Sequence, residues 1–242
     1  MDKVKRRVTS SRAEIDSLAL PLETKSYKPV AFGHVVDALD DALTQHLDEL
    51  TDLGYTDTKS TYFLNPKKTQ MRYERSFHQP QGLLGIRAVA HTSSDKTMPI
   101  EYGAEGEVGV CSNGMVATQW QYVSARRHTR FRHLEYGMAA NEAIQNLGPF
   151  IQQLEVDKAT MVERTLSDDE FYGFMGRTWG HKVIGSNAIN DVAKEWQNPR
   201  HDEFLDRNMW SAYNATTEVM KASPFFDQRE RMNQLHKIAL TY

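Results

Sequence analysis

The first strong hydrophobic pattern of the chain lies between His34 and Leu53. Apolar side chains recur there every three or four residues, the spacing that places them on one side of an α-helix. They are Val35, Val36, Leu39, Leu43, Leu47 and Leu50. Gly54 follows directly, and glycine is the residue type that most often ends a helix. The pattern therefore predicts an amphipathic helix from His34 to Leu53 that ends at Gly54.

From Tyr55 to about Val123 the pattern changes to the alternation typical of β-strands. Five runs of this kind are separated by turn-forming segments such as NPKK and SNG. The runs are TYFL, TQMRYERSF, LLGIRAVAH, PIEYGAEGEVGVC and MVATQWQYV. In the second run, alternation predicts one face with Met71, Tyr73, Arg75 and Phe77 and another with Arg72, Glu74, Ser76 and His78. We therefore expect a five-stranded antiparallel β-meander.

Helical spacing returns after residue 134. An apolar stripe from Ala140 to Leu154 predicts a helix, which Gly148-Pro149 kinks or splits because proline cannot continue the hydrogen-bond ladder. Ser167 followed by Glu170 is a capping-box pattern that opens another helix. Two more helices are predicted from the apolar stripes at about 189–196 and 204–220.

These elements predict an α+β fold with an N-terminal helix, an antiparallel five-stranded β-meander and a helical C-terminal half. The predicted organisation has three parts. They are a basic polar arm at residues 1–30, an α+β core domain at 31–160 and a helical subdomain at 161–242.

Composition indicates a globular cytoplasmic protein. Hydrophobic residues make up 40% of the 242 residues and charged residues 25%, values that are ordinary for a folded domain. No apolar run approaches the roughly 18 residues that cross a bilayer, and the polar start MDKVKRRVTSSR lacks the apolar centre of a signal peptide. The single cysteine, Cys111, excludes an internal disulfide. We therefore expect action in a reducing compartment without a membrane partner.

Positive charge is concentrated in three short segments of a chain whose net charge is −3. Segments 1–12 and 59–78 each carry five basic residues against one acidic residue, and segment 126–132 carries four arginines and no acidic residue. Crowded like charges repel, so these segments cost stability unless an anionic partner offsets them. The local charge therefore indicates a polyanionic partner.

The segment SARRHTRFRH, residues 124–133, is the strongest candidate for contact with that partner. In a strand, alternate side chains of one face are about 6.6–7 Å apart, close to the phosphate spacing of an extended nucleic-acid strand. Aromatic residues lie nearby, and bases stack on such rings while cations follow the phosphates. The predicted nucleic-acid-binding residues are Lys67, Lys68, Arg72, Tyr73, Arg75, Trp120, Tyr122, Arg126, Arg127, His128, Arg130 and Arg132. The alternative is a charged strand edge whose aromatic residues face the core.

No motif predicts a catalytic residue, a cofactor or a metal. HExxH, CxxC, GxGxxG, Walker A and GxSxG patterns are absent from the sequence. Less favoured alternatives stay open: a nucleophile at Cys111 beside His91 or His128, a metal at His91 with Asp95 or at His128 with His133, or a hydrolase site at Asp95, Glu105, Glu107 and His128. A buried cysteine in the turn GVCSNG and solvent-facing carboxylates are simpler interpretations. We therefore expect binding rather than catalysis.

Several motifs occur in the order typical of a known family. GIRAVAHTSSDKTMPIEYGAEGEVGVCSNGMVA precedes ARRHT, and WSAYNATTEV follows near the C-terminal end. With KPVAFGH, these motifs resemble the phage/plasmid-like family, a domain family of unknown function, over about residues 28–220. Matching positions are His34, Arg87, Ser94, Asp95, Lys96, Cys111, Asn113, Gly114, Arg127, His128, Thr129, Asn214, Thr217 and Glu218, whereas Ala88 replaces the commoner Asn and His91 is displaced. The resemblance implies a bacteriophage or mobile-element origin, and hence the host cytoplasm, but no reaction.

The predicted order of helix, β-meander and helix is also similar to the core of single-strand annealing proteins of the eukaryotic recombination-mediator type. In those proteins a β-hairpin and a basic surface line a groove for single strands, and the subunits form rings, so the similarity implies a homo-oligomer. Likeness of fold does not establish function. Our leading hypothesis is a phage protein that binds or anneals single-stranded DNA in recombination or replication. The second is a phage protein that inhibits a host enzyme or defence factor through its acidic helical half.

Overall fold

The computed structural model describes residues 9–80, 84–108, 113–115, 124–126, 135–221 and 228–242. An antiparallel sheet lies in the middle of the chain and most helices lie in the C-terminal half, so the predicted fold class is confirmed. The strands are β1 (Thr9–Ser10), β2 (Thr56–Leu64), β3 (Gln70–His78), β4 (Leu84–Ser93), β5 (Ile100–Val108), β6 (Asn113–Met115) and β7 (Ser124–Arg126). The helices are α1 (Arg12–Asp16), α2 (Phe32–Gln45), α3 (Leu47–Asp52), α4 (Glu135–Ile144), α5 (Leu147–Glu163), α6 (Asp168–Gly180), α7 (Ile189–Gln197), α8 (Met209–Met220) and α9 (Gln228–Thr241), with 3₁₀ turns at Ser186–Ala188 and Asp202–Phe204.

The described strands form one sheet in the order β1-β2-β3-β4-β5-β6, and β7 also pairs with β5. This is the predicted antiparallel meander with short strands added at its edges. Of the predicted run MVATQWQYV, Met115 ends β6 opposite Gly106, and residues 116–123 lie outside the described residues. The alternation signal cannot reveal β1 or β7, because two or three residues do not establish a period.

The predicted helix from His34 to Leu53 is two helices, α2 and α3, that meet at His46. The backbone of His46 departs from helical geometry, with φ −118° and ψ 8°, and its N–H donates to the carbonyl of Leu43. Gly54 ends α3 as predicted. Its φ of 80° lies in the left-handed region that glycine adopts without strain.

α2 packs against the sheet through the apolar stripe that its sequence predicts. Val35, Val36, Leu39 and Leu43 are all fully buried. Full burial of such a side chain contributes about 1.5–3 kcal/mol to stability. The alternation predicted for β3 is confirmed, since Tyr73 and Arg75 both donate to Asp40 of α2, whereas Arg72 and Glu74 bond to each other.

The chain divides into two compact units. We call Arg6–Glu105 with Gln119–Phe150 the sheet unit and Gly106–Thr118 with Ile151–Tyr242 the helical unit. The division predicted at residues 30 and 160 stays a prediction. Among the described residues, no helix is both long enough and apolar enough to cross a membrane.

In the C-terminal half the predicted helix is split, but the break lies at residues 145–146, just before Gly148-Pro149. The stripe from Ala140 to Leu154 is split between α4 and α5, and Pro149 occupies the first turn of α5, where its missing N–H costs no hydrogen bond. The capping box is confirmed: the Ser167 hydroxyl accepts from the N–H of Glu170, whose carboxylate accepts from the N–H of Ser167.

A buried hydrogen-bonded pair lies inside the helical unit. The imidazole Nε2 of His236 on α9 is 2.7 Å from a carboxylate oxygen of Asp157 on α5. Both side chains are almost fully buried, with exposures of 0% and 4%. The pair therefore joins two helices that are distant in sequence.

Candidate functional site

The turn between β2 and β3 presents two of the predicted lysines. Asn65 organises this turn, because its side-chain oxygen accepts from the backbone N–H groups of Thr69 and Gln70 at 2.8 and 3.1 Å. Lys68 has a φ of 55°, which lets the chain reverse direction. Lys67 and Lys68 are both exposed. The hairpin tip therefore holds two cations in solvent.

The loop between β4 and β5 lies beside this turn. The N–H of Ser94 donates to the carbonyl of Thr69 at 2.8 Å, and the Gln70 amide donates to the Thr97 hydroxyl at 2.9 Å. The loop contributes Lys96, whose φ is 69°. Strands that alternate in direction bring every second connection to the same end of a sheet.

Strand β7 reaches the same end of the sheet. Arg126 pairs with Ile100, the first residue of β5 and therefore the residue next to the β4–β5 loop. The arginine-rich segment continues from this point. β1 begins here as well, since Thr9 pairs with Phe63 near the end of β2. We call the set Lys67, Lys68, Lys96 and Arg126 the basic sheet end.

Two of the lysines at the basic sheet end have neighbours of their own. Lys68 forms an ion pair with Glu14 of α1, with Nζ 2.8 Å from the carboxylate. The hydrogen bond from Lys68 is the main reason that the pKa of Glu14 is lowered. Lys96 places its ammonium 4.7 Å from the ring centre of Tyr27. Lys67 has no ion-pair partner within the part of the chain that the structure describes, so this surface retains positive charge.

Of three other predicted residues, two lie beneath the surface and the third is partly exposed. Arg72 is 4% exposed and Tyr73 is 1% exposed. The Tyr73 hydroxyl donates to Asp40 at 2.7 Å. Arg75 is partly exposed, and its guanidinium binds both Asp40 and Asp57. These three side chains therefore bond to the carboxylates of the protein itself.

The remaining predicted residues fall on parts of the chain that the structure does not describe at side-chain level. Arg126 is described only as part of strand β7. Outside the described residues lie Trp120, Tyr122, Arg127, His128, Arg130 and Arg132, together with Cys111 and His133 of the less favoured alternatives.

A cluster of buried charges occupies the sheet face that carries Arg72. The guanidinium of Arg72 donates to Glu105 at 2.9 and 2.5 Å and to Glu74 at 2.5 Å. It also lies 2.7 Å from Nε2 of His91, and Arg87 donates to Glu74 at 3.2 Å. We call these five residues the buried charge cluster.

The charges in this cluster keep one another ionised. Burial alone raises the pKa of Glu74, but the positive charges of Arg72 and Arg87 outweigh burial and hold that pKa below its usual value. Burial alone lowers the pKa of Arg72. The negative charges of Glu105 and Glu74 raise that pKa by more than burial lowers it, so it lies above its usual value. The cluster is therefore a network in which buried charges compensate one another across three strands.

Two of the three carboxylates considered for a hydrolase are engaged in other contacts. Glu105 belongs to the buried charge cluster, and Asp95 accepts hydrogen bonds from the N–H and hydroxyl of Thr97. Among the residues that the structure describes, no three His, Cys, Asp or Glu side chains are grouped so that they could hold a metal ion.

Lys96 is the member of the basic sheet end that our sequence-based site omitted. The predicted meander contains the signal that identifies it, because the β2–β3 and β4–β5 connections of a meander share one end of the sheet. Placing the lysines of both connections on that end would have included Lys96.

Comparison with known proteins yields a family but no individual relative. No curated protein and no solved structure matches the sequence significantly. A family model described as a domain of unknown function, DUF932, matches residues 20–238, which cover both the sheet and the helical C-terminal half. The chain therefore belongs to the DUF932 family.

Proposed function

We propose that this chain binds single-stranded nucleic acid, with DNA favoured, through the basic sheet end. The observation that carries the proposal is convergence: two loops and strand β7, far apart in sequence, bring Lys67, Lys68, Lys96 and Arg126 to one end of the sheet. The chain is acidic as a whole, but this surface gathers several of its cations. Such a surface is suited to bind a polyanion, because polyanion binding depends on the local electrostatic field rather than on the net charge.

The exposed lysines suit contact with phosphates. Each ammonium is a mobile point charge on a flexible stem, which can follow a backbone of variable shape. In the free protein the carboxylate of Glu14 forms an ion pair with the ammonium of Lys68. A phosphate would replace this carboxylate as the partner of the ammonium. Residues 1–8, which come directly before β1 in the sequence, carry four further basic residues, Lys3, Lys5, Arg6 and Arg7.

Arg72, Tyr73 and Arg75 have a supporting role in this proposal. They bond to carboxylates of the sheet unit and hold β3 against α2 and against the neighbouring strands. Phosphate contacts come instead from the exposed lysines and from the arginine-rich segment that begins at Arg126. Base stacking is assigned to Trp120 and Tyr122, as the sequence predicts.

The resemblance to phage and plasmid proteins supports a role in recombination or replication of a bacteriophage inside its host cell. Single-strand binding proteins commonly bind cooperatively along a strand. We therefore propose that several copies of the chain assemble on one strand as a homo-oligomer.

The test is binding of a fluorescently labelled single-stranded oligonucleotide, measured by anisotropy over a range of salt concentrations. We expect the triple variant Lys67→Gln, Lys68→Gln, Lys96→Gln to bind much more weakly than the unmodified chain. Each lost phosphate contact reduces the slope of log affinity against log salt by about 0.7. The matched control is Lys59→Gln, Lys194→Gln, Lys237→Gln, which removes the same charge from exposed lysines elsewhere. Equal weakening by both triples would contradict the proposed site.

A second variant tests the arginine-rich segment separately. Replacing Arg126, Arg127 and Arg130 by alanine should abolish most of the affinity at low salt. If this variant keeps the affinity and salt slope of the unmodified chain, the segment does not contact nucleic acid. If the unmodified chain binds no oligonucleotide but retains one host protein in a pull-down, inhibition of a host factor becomes the better assignment.

A further inference from the structure

A concave cleft lies in the helical unit, apart from the basic sheet end in sequence. Its volume of about 640 Å³ falls within the range of small-molecule sites, about 300–1,000 Å³. The C-terminal end of α6, the segment that leads into α7, the last turn of α8 and part of α9 line it. Val183, Ile184 and Met220 form a buried apolar floor. We call it the Trp179 cleft.

Trp179 presents an aromatic surface to the cleft. Its side chain is 52% exposed, whereas Trp196 and Trp210 are both 3% exposed. Gly176 lies one turn before it and Gly180 directly after it, and a Cβ at either glycine would meet no atom within 4 Å. Glycine in an exposed helix destabilises the helix relative to alanine. Packing therefore requires neither glycine, and the half-exposed ring of Trp179 beside them is open to solvent.

Lys182 is held in the cleft by an uncommon backbone conformation. α6 ends in a Schellman motif, in which the N–H of Lys182 donates to Trp179 and the N–H of Val183 donates to Thr178, both at 2.9 Å. The left-handed position of this motif usually holds glycine, yet here Lys182 has a φ of 60°. Backbone strain of this kind costs about 1–3 kcal/mol and clusters at functional sites.

Arg231 of α9 supplies a second cation to the cleft. Within the described part of the chain, neither Lys182 nor Arg231 pairs with a carboxylate. Asn187 and Asp191 add hydrogen-bonding groups to the same lining. The cleft thus combines an open aromatic ring, an apolar floor, two cations and polar groups at its wall.

We infer that the Trp179 cleft binds a nucleoside 5′-phosphate, either as a free nucleotide or as one unit of a nucleic-acid strand. The base stacks on Trp179 above the apolar floor, as bases do on exposed aromatic rings. The phosphate interacts with Lys182 and Arg231 through charge-assisted hydrogen bonds. Asn187 and Asp191 can bind the polar edge of the base or the ribose hydroxyls.

The test is calorimetric and fluorescence titration of the full chain with adenosine 5′-monophosphate, adenosine and inorganic phosphate. We expect saturable binding of the monophosphate with quenching of tryptophan emission, and weaker binding of adenosine or phosphate alone. Lys182→Gly and Arg231→Gln should each weaken binding about tenfold, as loss of a hydrogen bond to a charged group does. Lys182→Gly suits the left-handed backbone, so this variant should fold. The matched charge control is Lys237→Gln, which removes an exposed lysine of α9, the helix that also carries Arg231. This variant should bind normally.

Two further measurements complete the test. Trp179→Ala should weaken binding and remove the quenching, whereas Trp179→Phe should retain most of the affinity because a ring remains. Displacement of the monophosphate by a short oligodeoxynucleotide would identify the strand as the source of the nucleotide, and its absence would identify a free nucleotide. The inference is overturned if the monophosphate shows no saturable binding, or if Lys237→Gln loses as much affinity as Lys182→Gly and Arg231→Gln do. It is also overturned if the cleft binds only an acidic peptide.

Discussion

Arg72 on β3 and Glu105 on β5 form a two-pronged ion pair across the intervening strand β4, with N–O distances of 2.9 and 2.5 Å. Both side chains are almost completely buried. Such geometry matches the planar guanidinium to the planar carboxylate and is among the strongest polar contacts in proteins. The pair supports the sheet from which the basic loops project.

Removal of one partner should therefore destabilise the protein strongly. We expect Glu105→Ala to lower the free energy of unfolding by about 3–5 kcal/mol, because Arg72 and Arg87 then share the single carboxylate of Glu74 and the cluster keeps an uncompensated buried positive charge. Urea denaturation measures this change. Asp41→Ala, which removes an exposed carboxylate of α2, should stay within about 0.5 kcal/mol of the unmodified chain. A loss below about 1 kcal/mol for Glu105→Ala would show that the pair is not buried in solution.

Acid should destabilise the fold through Glu74. Its pKa in the folded protein lies below the ordinary 4.5, because Arg72 and Arg87 outweigh the effect of burial. The unfolded chain therefore takes up the proton first, and the stability that Glu74 contributes above its unfolded pKa is lost as pH falls through the folded pKa. We expect the unfolding free energy to fall less steeply below about pH 4.5 in Glu74→Gln than in the unmodified chain. Parallel pH profiles would contradict this assignment.

Lys68 should bind nucleic acid better once Glu14 is neutralised. The two side chains form an ion pair in the free protein, so Glu14→Gln releases the ammonium for a phosphate. We expect about threefold tighter oligonucleotide binding at low salt, in line with the modest strength of exposed ion pairs, and a smaller difference at high salt. The double variant Glu14→Gln, Lys68→Gln is the control, and it should lose the gain. Unchanged affinity in the single variant would exclude Lys68 from the interface.

Gly176 should be replaceable by alanine with a gain in stability. A Cβ at this position meets nothing within 4 Å, and alanine favours a helix over glycine by about 0.8–1.0 kcal/mol. Thermal or urea unfolding of Gly176→Ala should therefore show an increase of about that size. Gly54→Ala provides a contrasting case and should lower the stability, because the φ of 80° at Gly54 disfavours any side chain. A decrease for Gly176→Ala would reveal a close contact at this face of α6.

The buried pair of His236 and Asp157 should show coupling in a double-mutant cycle. Each leucine replacement alone should cost about 1–3 kcal/mol, because it leaves the other polar side chain buried without the hydrogen bond that joins the pair. The double variant should cost at least about 0.5 kcal/mol less than the sum of the two single variants. Simple additivity, measured by urea denaturation, would mean that the two side chains do not interact in solution.

Much of the fold is predictable because one residue period dominates each region. The three- to four-residue spacing around Leu39 and the alternation around Tyr73 each point to one type of element. The break at His46 is not predictable in this way, because the apolar stripe continues through it. α9 was not predicted either, although Leu235, Ile238 and Ala239 bury one side of it. In α9 the many polar residues obscure that stripe.

The site is less predictable than the fold for a physical reason. Alternation shows which side chains share a face of β3, but it does not show whether that face is covered. Arg72 and Glu74 have the sequence pattern of a solvent-exposed face, and only the structure shows that they are buried and mutually neutralised. By contrast, lysines in tight turns are exposed almost by necessity, so Lys67 and Lys68 could be placed correctly.

The buried charge cluster also specifies how the strands align. Its members come from β3, β4 and β5, and they meet only when each strand is in its observed register, with Arg72 opposite His91. A slip by one residue would turn a charged side chain toward α2 and leave its partners unneutralised. Misaligned sheets are thereby disfavoured, and the loops at the basic sheet end keep a fixed distance from one another.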